Sequence, residues 1–211
     1  MNWAAVLLAA GAGSRMGHRP KSLLLLDGEP LICRHVQHLQ QAGAASVVVV
    51  LGHYATDIGA VLQGLSVQTV HNPQPDDGLV SSQRWGLQVV PETSDGVLMM
   101  LADQPLLDAA DITVLIKAFA ARPAGIDMVF PKVGQQPGNP VMLSNAARSA
   151  ILAQGPDVGC KEWRQVHPAQ VQALVSANPH YTIDLDQPQD VVAFRTQTGR
   201  SLCWPDGWPP T

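Results

Sequence analysis

The first two thirds of the chain alternate between short apolar runs and stretches with helical periodicity. The apolar runs fall at 4–10, 46–52, 67–72 and 96–103. Each run is continuous rather than alternating, which predicts strands buried on both faces of a mainly parallel sheet. The stretches at 30–43, 55–64, 78–90 and 108–121 carry apolar residues three and four positions apart, which predicts helices. The pattern therefore predicts a three-layer α/β/α domain with a Rossmann-like arrangement and right-handed crossovers.

After residue 123 the predicted strands come closer together. They fall at 127–133, 139–143, 171–176 and 180–186, with a helix from Ser144 to about Gln154 and a last helix that begins at Pro188. This spacing favours a small mixed subdomain over a further regular strand-helix-strand unit. We expect a single domain over residues 1–195 and an irregular tail over 196–211. In that tail, we expect Trp204 and Trp208 to pack either on the domain or on a second subunit. We accordingly expect either a monomer or a small homo-oligomer.

Composition narrows the class of protein. The 211 residues are 46% hydrophobic and 14% charged, as in a globular protein, and no apolar run approaches the length of a membrane span. The net charge of −4 offers no basic face and disfavours nucleic-acid binding. Cys33, Cys160 and Cys203 form no C-x-x-C pair, which argues against a disulfide framework or a zinc site. The first residues also lack the features of a signal peptide, so we expect a cytoplasmic protein.

The glycine-rich stretch LAAGAGSRMGHRPKSLLLLDG at 8–28 follows the first predicted strand. It does not fit a dinucleotide-binding fingerprint, because Met16 stands where the third glycine is required after Gly11 and Gly13. It does not fit a Walker loop either, because His18 rather than lysine follows Gly17. An oxidoreductase of the Rossmann type and a P-loop enzyme are therefore both disfavoured.

A loop of small residues remains, whose backbone amides can approach a phosphate group closely. Its members are Ala9, Ala10, Gly11, Ala12 and Gly13. Arg15 and Lys21 then add two fixed cations, which suits a triphosphate. The alternative is an ordinary tight turn with a surface arginine and a surface lysine.

The same stretch resembles the signature L-A-[AG]-G-x-[SG]-x-R-M-G-x-x-K of the nucleotidyltransferases that attach a nucleotide to the molybdenum cofactor. That family lies within a wider class that includes sugar-1-phosphate nucleotidyltransferases. The spacing to Lys21 is longer by one residue, through Pro20. Further segments are similar to the family's pattern: NPQPDDGLVSSQRWGL, LADQPLL, GNPVMLS and IDLDQPQD. The resemblance covers residues 4 to about 195.

The resemblance implies a fold of the nucleotide-diphospho-sugar-transferase type and a magnesium site. Asp103, which ends a predicted strand, is the expected Mg²⁺ ligand, although an aspartate there can also simply cap a turn. Asp186 is the expected second ligand, with Asp184 as the alternative. The residues expected to frame the base, ribose and acceptor are Asn72, Gly78, Ser82 and Asn139. Asn139 departs from the family, which more often has histidine at that position.

The reaction implied is in-line attack by a terminal phosphate oxygen of the acceptor on the α-phosphate of an NTP, with release of pyrophosphate. Ala10 gives L-A-A-G, as in the cytidylyl branch of the family, whereas the guanylyl branch has L-A-G-G; we therefore expect CTP. The expected acceptor is a molybdopterin-type cofactor, with a molybdoenzyme as a further partner. Two alternatives stay open: a different phosphorylated acceptor such as a sugar or polyol phosphate, and a non-catalytic accessory protein that carries the cofactor to a molybdenum hydroxylase.

Other residues receive simpler interpretations. No G-x-S-x-G elbow surrounds Ser81 or Ser82, which disfavours a serine hydrolase. His35 and His38 are interpreted as one packed and one solvated histidine on a helix rather than a metal pair. Trp85 is expected in the core.

Overall fold

The computed structural model describes residues 1–207, so the prediction for Trp208 lies outside the described residues. The strands are β1 (Trp3–Ala9), β2 (Leu25–Leu26), β3 (Glu29–Pro30), β4 (Ser46–Leu51), β5 (Gln68–His71), β6 (Gly96–Leu101), β7 (Met128–Val133), β8 (Gln136–Pro137), β9 (Val141–Ser144), β10 (Val171–Ser176) and β11 (Leu202–Cys203). The helices are α1 (Leu31–Gln41), α2 (Ala55–Val61), α3 (Gly78–Val89), α4 (Ala109–Ala120), α5 (Asn145–Ala153), α6 (Cys160–Val166) and α7 (Pro188–Thr198). No helix among these is long and apolar enough to cross a membrane.

The central sheet has the strand order β10-β7-β9-β6-β1-β4-β5, with β8 paired to β7. β1 lies parallel to β4 and β6, β4 to β5, and β7 to β10. β9 runs antiparallel between β6 and β7. The prediction of a mostly parallel sheet with a mixed region after residue 123 is confirmed.

Successive residues of β1 face opposite layers of the fold, as the twofold repeat of a strand requires. Ala5 and Leu7 join a core with α1, α2 and α4, whereas Val6 and Leu8 join a second core with α3, α5 and α6. β1 is buried along its whole length. This is the predicted three-layer α/β/α arrangement, and it explains why the strand is apolar at every position.

Helix α3 lies directly on the sheet because of Gly86. A Cβ atom at this position would come within 2.3 Å of Val6 Cγ1 and 2.9 Å of Val50 Cγ2. Glycine thus sets the distance between α3 and the strands β1 and β4. Since α3 begins at Gly78, this contact also fixes where the start of the helix lies relative to the loop after β1.

Two arginines join α3 and α5 in opposite directions. The Arg84 guanidinium on α3 donates to the carbonyls of Ile151 at 2.6 Å and Leu152 at 3.0 Å near the end of α5. Arg148, buried on α5, donates to the carbonyls of Leu87 at 2.8 Å and Val90 at 2.7 Å near the end of α3. Each arginine satisfies carbonyls that the last turn of the other helix leaves without intrahelical partners.

The C-terminal part of the chain packs under the glycine-rich loop and forms a third core. Its buried members are Met16, Leu24, Leu26, Leu31, Leu185, Phe194 and Leu202. β11 pairs with β2, which in turn pairs with β3. Trp204 packs at the margin of this core, with the Arg19 guanidinium 5.5 Å from the centre of its ring. The expected domain boundary at 195 falls inside α7, and the region predicted as an irregular tail contains β11.

Two local predictions were wrong, and one helix was not predicted. Residues 180–186 do not form a strand: Pro179–Thr182 is a short 3₁₀ helix, and Tyr181 and Leu185 are buried in two separate cores. Trp85 is 36% exposed rather than part of the core. It precedes the sheet-facing Gly86, and consecutive helical residues point about 100° apart. Helix α6, which carries the buried Trp163, was not predicted. It has seven residues, and so short a segment shows little helical periodicity in its apolar positions.

Candidate nucleotide-binding site

A cavity of about 350 Å³ opens at the carboxyl ends of β1, β4 and β6. Ligands of open α/β sheets bind at this edge. Of the predicted site residues, eight line the cavity: Ala9, Ala10, Gly11, Ala12, Lys21, Gly78, Ser82 and Asp103. The remaining five, Gly13, Arg15, Asn72, Asn139 and Asp186, do not line it and have the other positions described below.

The loop after β1 turns back on itself at Gly13. This residue has a φ of 58°, and its carbonyl accepts hydrogen bonds from the amides of Met16 at 2.8 Å and His18 at 3.0 Å. A Cβ atom at Gly13 would lie 2.0 Å from the carbonyl oxygen of Arg19, so only glycine fits. Met16 is buried and anchors the loop in the third core. The residue that breaks the dinucleotide fingerprint therefore has a structural role as an anchor.

Lys21 is the charge centre of the site. Its ammonium donates to Asp103 Oδ2 and, at 3.1 Å, to Asp186 Oδ1. Burial alone would lower the pKa of Lys21, but the charges and hydrogen bonds of the two aspartates outweigh it and raise that pKa above its ordinary value. Arg15 Nη2 lies 3.2 Å from the same Asp186 oxygen, and its side chain is 69% exposed. The structure thus brings together the two predicted cations and the two predicted carboxylates.

The arrangement of the carboxylates fits the ligand chemistry of Mg²⁺. Asp103 Oδ1 is buried and has no hydrogen-bond partner among the described residues, which leaves one carboxylate oxygen unsatisfied. Mg²⁺ is commonly held by one or two carboxylates together with substrate phosphates and water. Asp103 and Asp186 supply such a pair; residues 1–207 contain no cluster of three or more His, Cys, Asp or Glu side chains that could hold a metal alone.

Asp186 rather than Asp184 contacts the cations. The ion pairs of Lys21 within the described chain are to Asp103 and Asp186 and not to Asp184. Asp184 is nevertheless near the cluster, because desolvation and then the charges of Asp103 and Asp186 raise its pKa. Of the two candidates left open by the sequence, the contacts favour Asp186.

Asn72 holds the loop after β5 and does not face the cavity. It is fully buried, and its Nδ2 donates to Ser82 Oγ at 3.0 Å. Its Oδ1 accepts from the Gln74 amide at 2.9 Å and from Ser81 Oγ at 3.3 Å. Asn72 therefore positions the start of α3, where Gly78 and Ser82 line the cavity, instead of contacting a ligand at the lining.

Asn139 lies on the loop before β9, outside the lining of the cavity. Its amide donates to the Tyr181 carbonyl at 2.9 Å. The preceding Gly138 passes so close to Tyr181 that a Cβ atom would lie 2.4 Å from the same carbonyl oxygen. The loop is thus tied through its backbone to the segment that leads to Asp186.

Sequence reasoning missed the turn after β4, which forms one wall of the cavity. His53 lines the cavity, and its Nε2 lies 3.0 Å from Asp76 Oδ1 on the opposite loop. The Tyr54 hydroxyl donates to the Ala12 carbonyl at 3.0 Å. These residues directly follow the apolar strand β4, and ligands of open α/β sheets bind at the ends of such strands, so the position of the turn could have indicated it.

His35 and His38 differ in burial. His35 is fully enclosed, at 1% exposure. Burial, followed by the nearby charges of His38 and Arg34, lowers the pKa of His35 to about 3. His38 is half-buried, and its Nδ1 lies 3.0 Å from the Leu107 carbonyl.

Comparison with known proteins places the chain in a family. The MobA-like NTP transferase domain matches residues 5–177. The chain belongs to this family. Membership in this nucleotidyltransferase family accords with the cavity, the glycine-rich loop and the cation pair. The match includes Lys21 and Asp103 but ends before Asp186.

The chain is also similar in sequence to two curated proteins with different names. The chain is 34% identical over 183 residues to the bifunctional protein GlmU of Sorangium cellulosum; the match covers 83% of this chain and 37% of that protein. The chain thus spans well under half the length of that relative. It is 28% identical over 188 residues to the Nicotine blue oxidoreductase of Paenarthrobacter nicotinovorans, covering 86% of this chain and 90% of that protein.

The fold is also that of a solved nucleotidyl transferase from Methanothermobacter. The two structures superpose with a TM-score of 0.77 over 93% of this chain and 97% of the other, at 22% sequence identity. The expected nucleotide-diphospho-sugar-transferase-type fold is therefore confirmed.

Proposed function

We propose that the protein transfers CMP from CTP to the terminal phosphate of the molybdenum pterin cofactor, releases pyrophosphate, and uses Mg²⁺ in the cytoplasm. The observation that carries nucleotidyl transfer is the convergence of Lys21, Asp103 and Asp186 beside a cavity lined by the glycine-rich loop. The choice of the pterin acceptor rests on the resemblance of the sequence to the molybdenum-cofactor nucleotidyltransferases. The choice of CTP rests on the same resemblance, and in particular on Ala10.

The residues of the chain act by positioning and by charge. The acceptor phosphate is already ionised and needs no base, so one P–O bond forms at the α-phosphorus while the bond to pyrophosphate breaks, without a covalent enzyme intermediate. The amides of the loop 9–13 and the ammonium of Lys21 would stabilise the charge that develops on the phosphate oxygens. The exposed Arg15 is free to follow the pyrophosphate as it leaves.

Asp103 and Asp186 are the residues that would hold Mg²⁺. When bound, the ion supplies positive charge to the phosphate oxygens and a template for their orientation. Lys21 contacts both carboxylates, so the ion would share them with the ammonium group. Asp103 Oδ1, which is buried and has no hydrogen-bond partner within residues 1–207, would be available to the ion as a ligand atom.

Ala10 is the residue on which the base preference depends. It lines the cavity and is 4% exposed. A Cβ atom on Gly52 would lie 2.8 Å from the Ala10 Cβ, so the wall behind Ala10 is closely packed. Ala10→Gly is therefore the substitution that tests the base preference at this wall of the cavity.

The base preference is tested by titrating CTP, GTP and ATP with Mg²⁺ against the wild type and Ala10→Gly. We expect the wild type to bind CTP more tightly than GTP, and the variant to lose part of that difference. A clear preference of the wild type for GTP would contradict the cytidylyl assignment.

The acceptor is tested by measuring pyrophosphate release from CTP with the molybdenum pterin cofactor, a sugar 1-phosphate or a polyol phosphate. We expect release with the pterin cofactor. Release with a sugar or polyol phosphate alone would replace the proposed acceptor, and CTP binding without release on any acceptor would favour the accessory carrier. Because one relative is named an oxidoreductase, the same samples are also assayed for oxidation of a nicotinamide cofactor. Such oxidation without pyrophosphate release would contradict nucleotidyl transfer.

A further inference from the structure

The segment 181–186 has no strand partner among the described residues, although it carries Asp186 into the site. Its backbone groups still require hydrogen bonds, since burying them unpaired is costly. The Leu185 amide donates to the Asp103 carbonyl at 3.0 Å, and the Asp186 amide donates to Asp190 Oδ2 at 2.7 Å. The position of Asp186 therefore depends on individual contacts instead of a strand ladder.

The Tyr181 carbonyl is the point where three segments meet. It accepts from Gln104 Nε2 at 3.2 Å and from the Asn139 amide at 2.9 Å. Gln104 directly follows Asp103, and Asn139 lies on the loop before β9. The Tyr181 side chain is itself buried, and its hydroxyl donates to the Asp111 carbonyl at 3.0 Å, so the carbonyl is held from the other side as well.

Burying the polar side chain of Gln104 at this position costs free energy. It is 1% exposed, and its Oε1 is buried with no hydrogen-bond partner within residues 1–207. An apolar side chain of similar size would fill the space without leaving an oxygen unpaired. The useful part of the side chain is therefore its Nε2 group, which donates to Tyr181.

We propose that Gln104 is a positioning residue for nucleotidyl transfer: its amide sets the segment 181–186, and with it Asp186, at the correct distance from Asp103. The same carbonyl fixes Asn139, so Gln104 also aligns the loop before β9 with the end of β6. The role rests on the nucleotidyl transfer proposed above. It assigns Gln104 no contact with the substrate and no part in the bond changes.

The test compares Gln104→Met, which keeps the size of the side chain and removes the donor, with Gln88→Met at an exposed position on α3. We expect Gln104→Met to lower kcat by roughly tenfold to a hundredfold, because small displacements of reacting groups are amplified in rate. The dissociation constant for CTP should stay within about twofold, since the loop 9–13 is untouched. Hydrogen exchange in the unliganded protein should become faster in the peptide that contains Leu185. Gln88→Met should change none of these quantities.

Hydrogen exchange separates this proposal from the proposed function. Unchanged exchange at Leu185 in Gln104→Met would overturn the positioning role whatever the enzyme does. Faster exchange in a protein whose wild type releases no pyrophosphate would show that Gln104 sets the segment 181–186, but it would reject the transferase assignment and with it any catalytic consequence of that position. A fall in kcat matched by an equal loss of folded protein would also overturn the proposal. Should Gln104→Met fail to fold, Gln104→Asn retains the amide but shortens its reach, and the same outcomes apply.

Discussion

The ammonium group of Lys21 donates to Asp103 and to Asp186, which lie 82 and 165 residues further along the chain. Three separate segments, the glycine-rich loop, the end of β6 and the segment before α7, therefore meet at one cation. The loop and the end of β6 contribute to the wall of the cavity, and the segment before α7 contributes a carboxylate beside it.

Lys21→Met should reduce turnover far more than stability. Loss of a fixed cation at the transferred phosphate is expected to lower kcat by about 100-fold to 1000-fold. The unfolding temperature should fall by only a few degrees, because the pair is partly open to water and screened. Pyrophosphate release and thermal unfolding measure the two effects, with the exposed Lys117→Met on α4 as the control. A loss of activity no greater than that of Lys117→Met would show that Lys21 is an ordinary surface lysine.

Asp186→Asn should weaken the use of Mg²⁺ more than Asp184→Asn. Asp186 contacts both Lys21 and Arg15, whereas Asp184 makes no ion pair with Lys21. We expect the Mg²⁺ concentration that gives half-maximal pyrophosphate release to rise by roughly tenfold or more in Asp186→Asn. Equal responses of the two variants, or a larger response in Asp184→Asn, would reassign the second ligand.

Gly13→Ala should be far more damaging than Gly17→Ala. Both residues have a positive φ, of 58° and 71°, so each alanine costs about 1 kcal/mol for its backbone conformation. Gly13 alone faces an obstacle, since its Cβ would lie 2.0 Å from the Arg19 carbonyl oxygen, while Gly17 has open space. Urea unfolding should show the larger loss for Gly13→Ala, and CTP binding should be lost with it. Similar stabilities for the two variants would mean that the loop rearranges freely.

The sheet and most helices could be predicted from the sequence, because the spacing of apolar residues along each element reflects which of its faces are buried. β1 is apolar at each position since both of its faces are covered, and α3 begins at Gly78 where the spacing changes from strand to helix. The segment 180–186 misleads because its apolar residues are buried without strand pairing: Tyr181 enters one core and Leu185 another. Trp85 misleads because an aromatic residue at helical spacing can lie on either side of the helix axis.

The residues of the candidate site could be predicted from the sequence where they belong to a recognisable motif. They were harder to predict where the site depends on contacts between distant segments. Lys21, Asp103 and Asp186 were found through motif resemblance, and the structure brings their side chains together. Asn72 was expected near the base, but it lies behind the cavity wall, where it donates a hydrogen bond to the lining residue Ser82. His53 and Asp76 were missed because their pairing depends on two turns whose approach the chain does not signal locally.

Trp204→Ala should loosen the glycine-rich loop. The Trp204 ring lies under Arg19, within the core that also anchors Met16. Losing the cation–π contact is expected to cost about 1 kcal/mol, and the half-saturating CTP concentration should rise several-fold. Trp85→Ala removes an equally large but more exposed ring outside the loop and serves as the control. Binding of CTP that is unaffected in Trp204→Ala would show that the C-terminal segment does not support the loop.

His35 should make the protein sensitive to acid. Its pKa is about 3 in the folded protein, whereas an unfolded histidine titrates near its ordinary value of 6.5. Between these values the unfolded chain binds a proton that the folded chain does not, so stability falls as the pH falls from 6.5 toward 3. His35→Met should reduce this slope by up to about 1.4 kcal/mol per pH unit. Urea unfolding at several pH values measures it, with His71→Met at an exposed position as the control; an unchanged slope in His35→Met would contradict the prediction.

The two arginines that cross between α3 and α5 limit how the protein can move. Arg84 and Arg148 each hold the end of the other's helix, so neither helix can shift without breaking several charged hydrogen bonds at once. Opening and closing around substrates must therefore occur by motion of the glycine-rich loop and of the turns after β4 and β5. Helices α3 and α5 then behave as one rigid unit beside the cavity, and unfolding of α5 should be coupled to unfolding of α3.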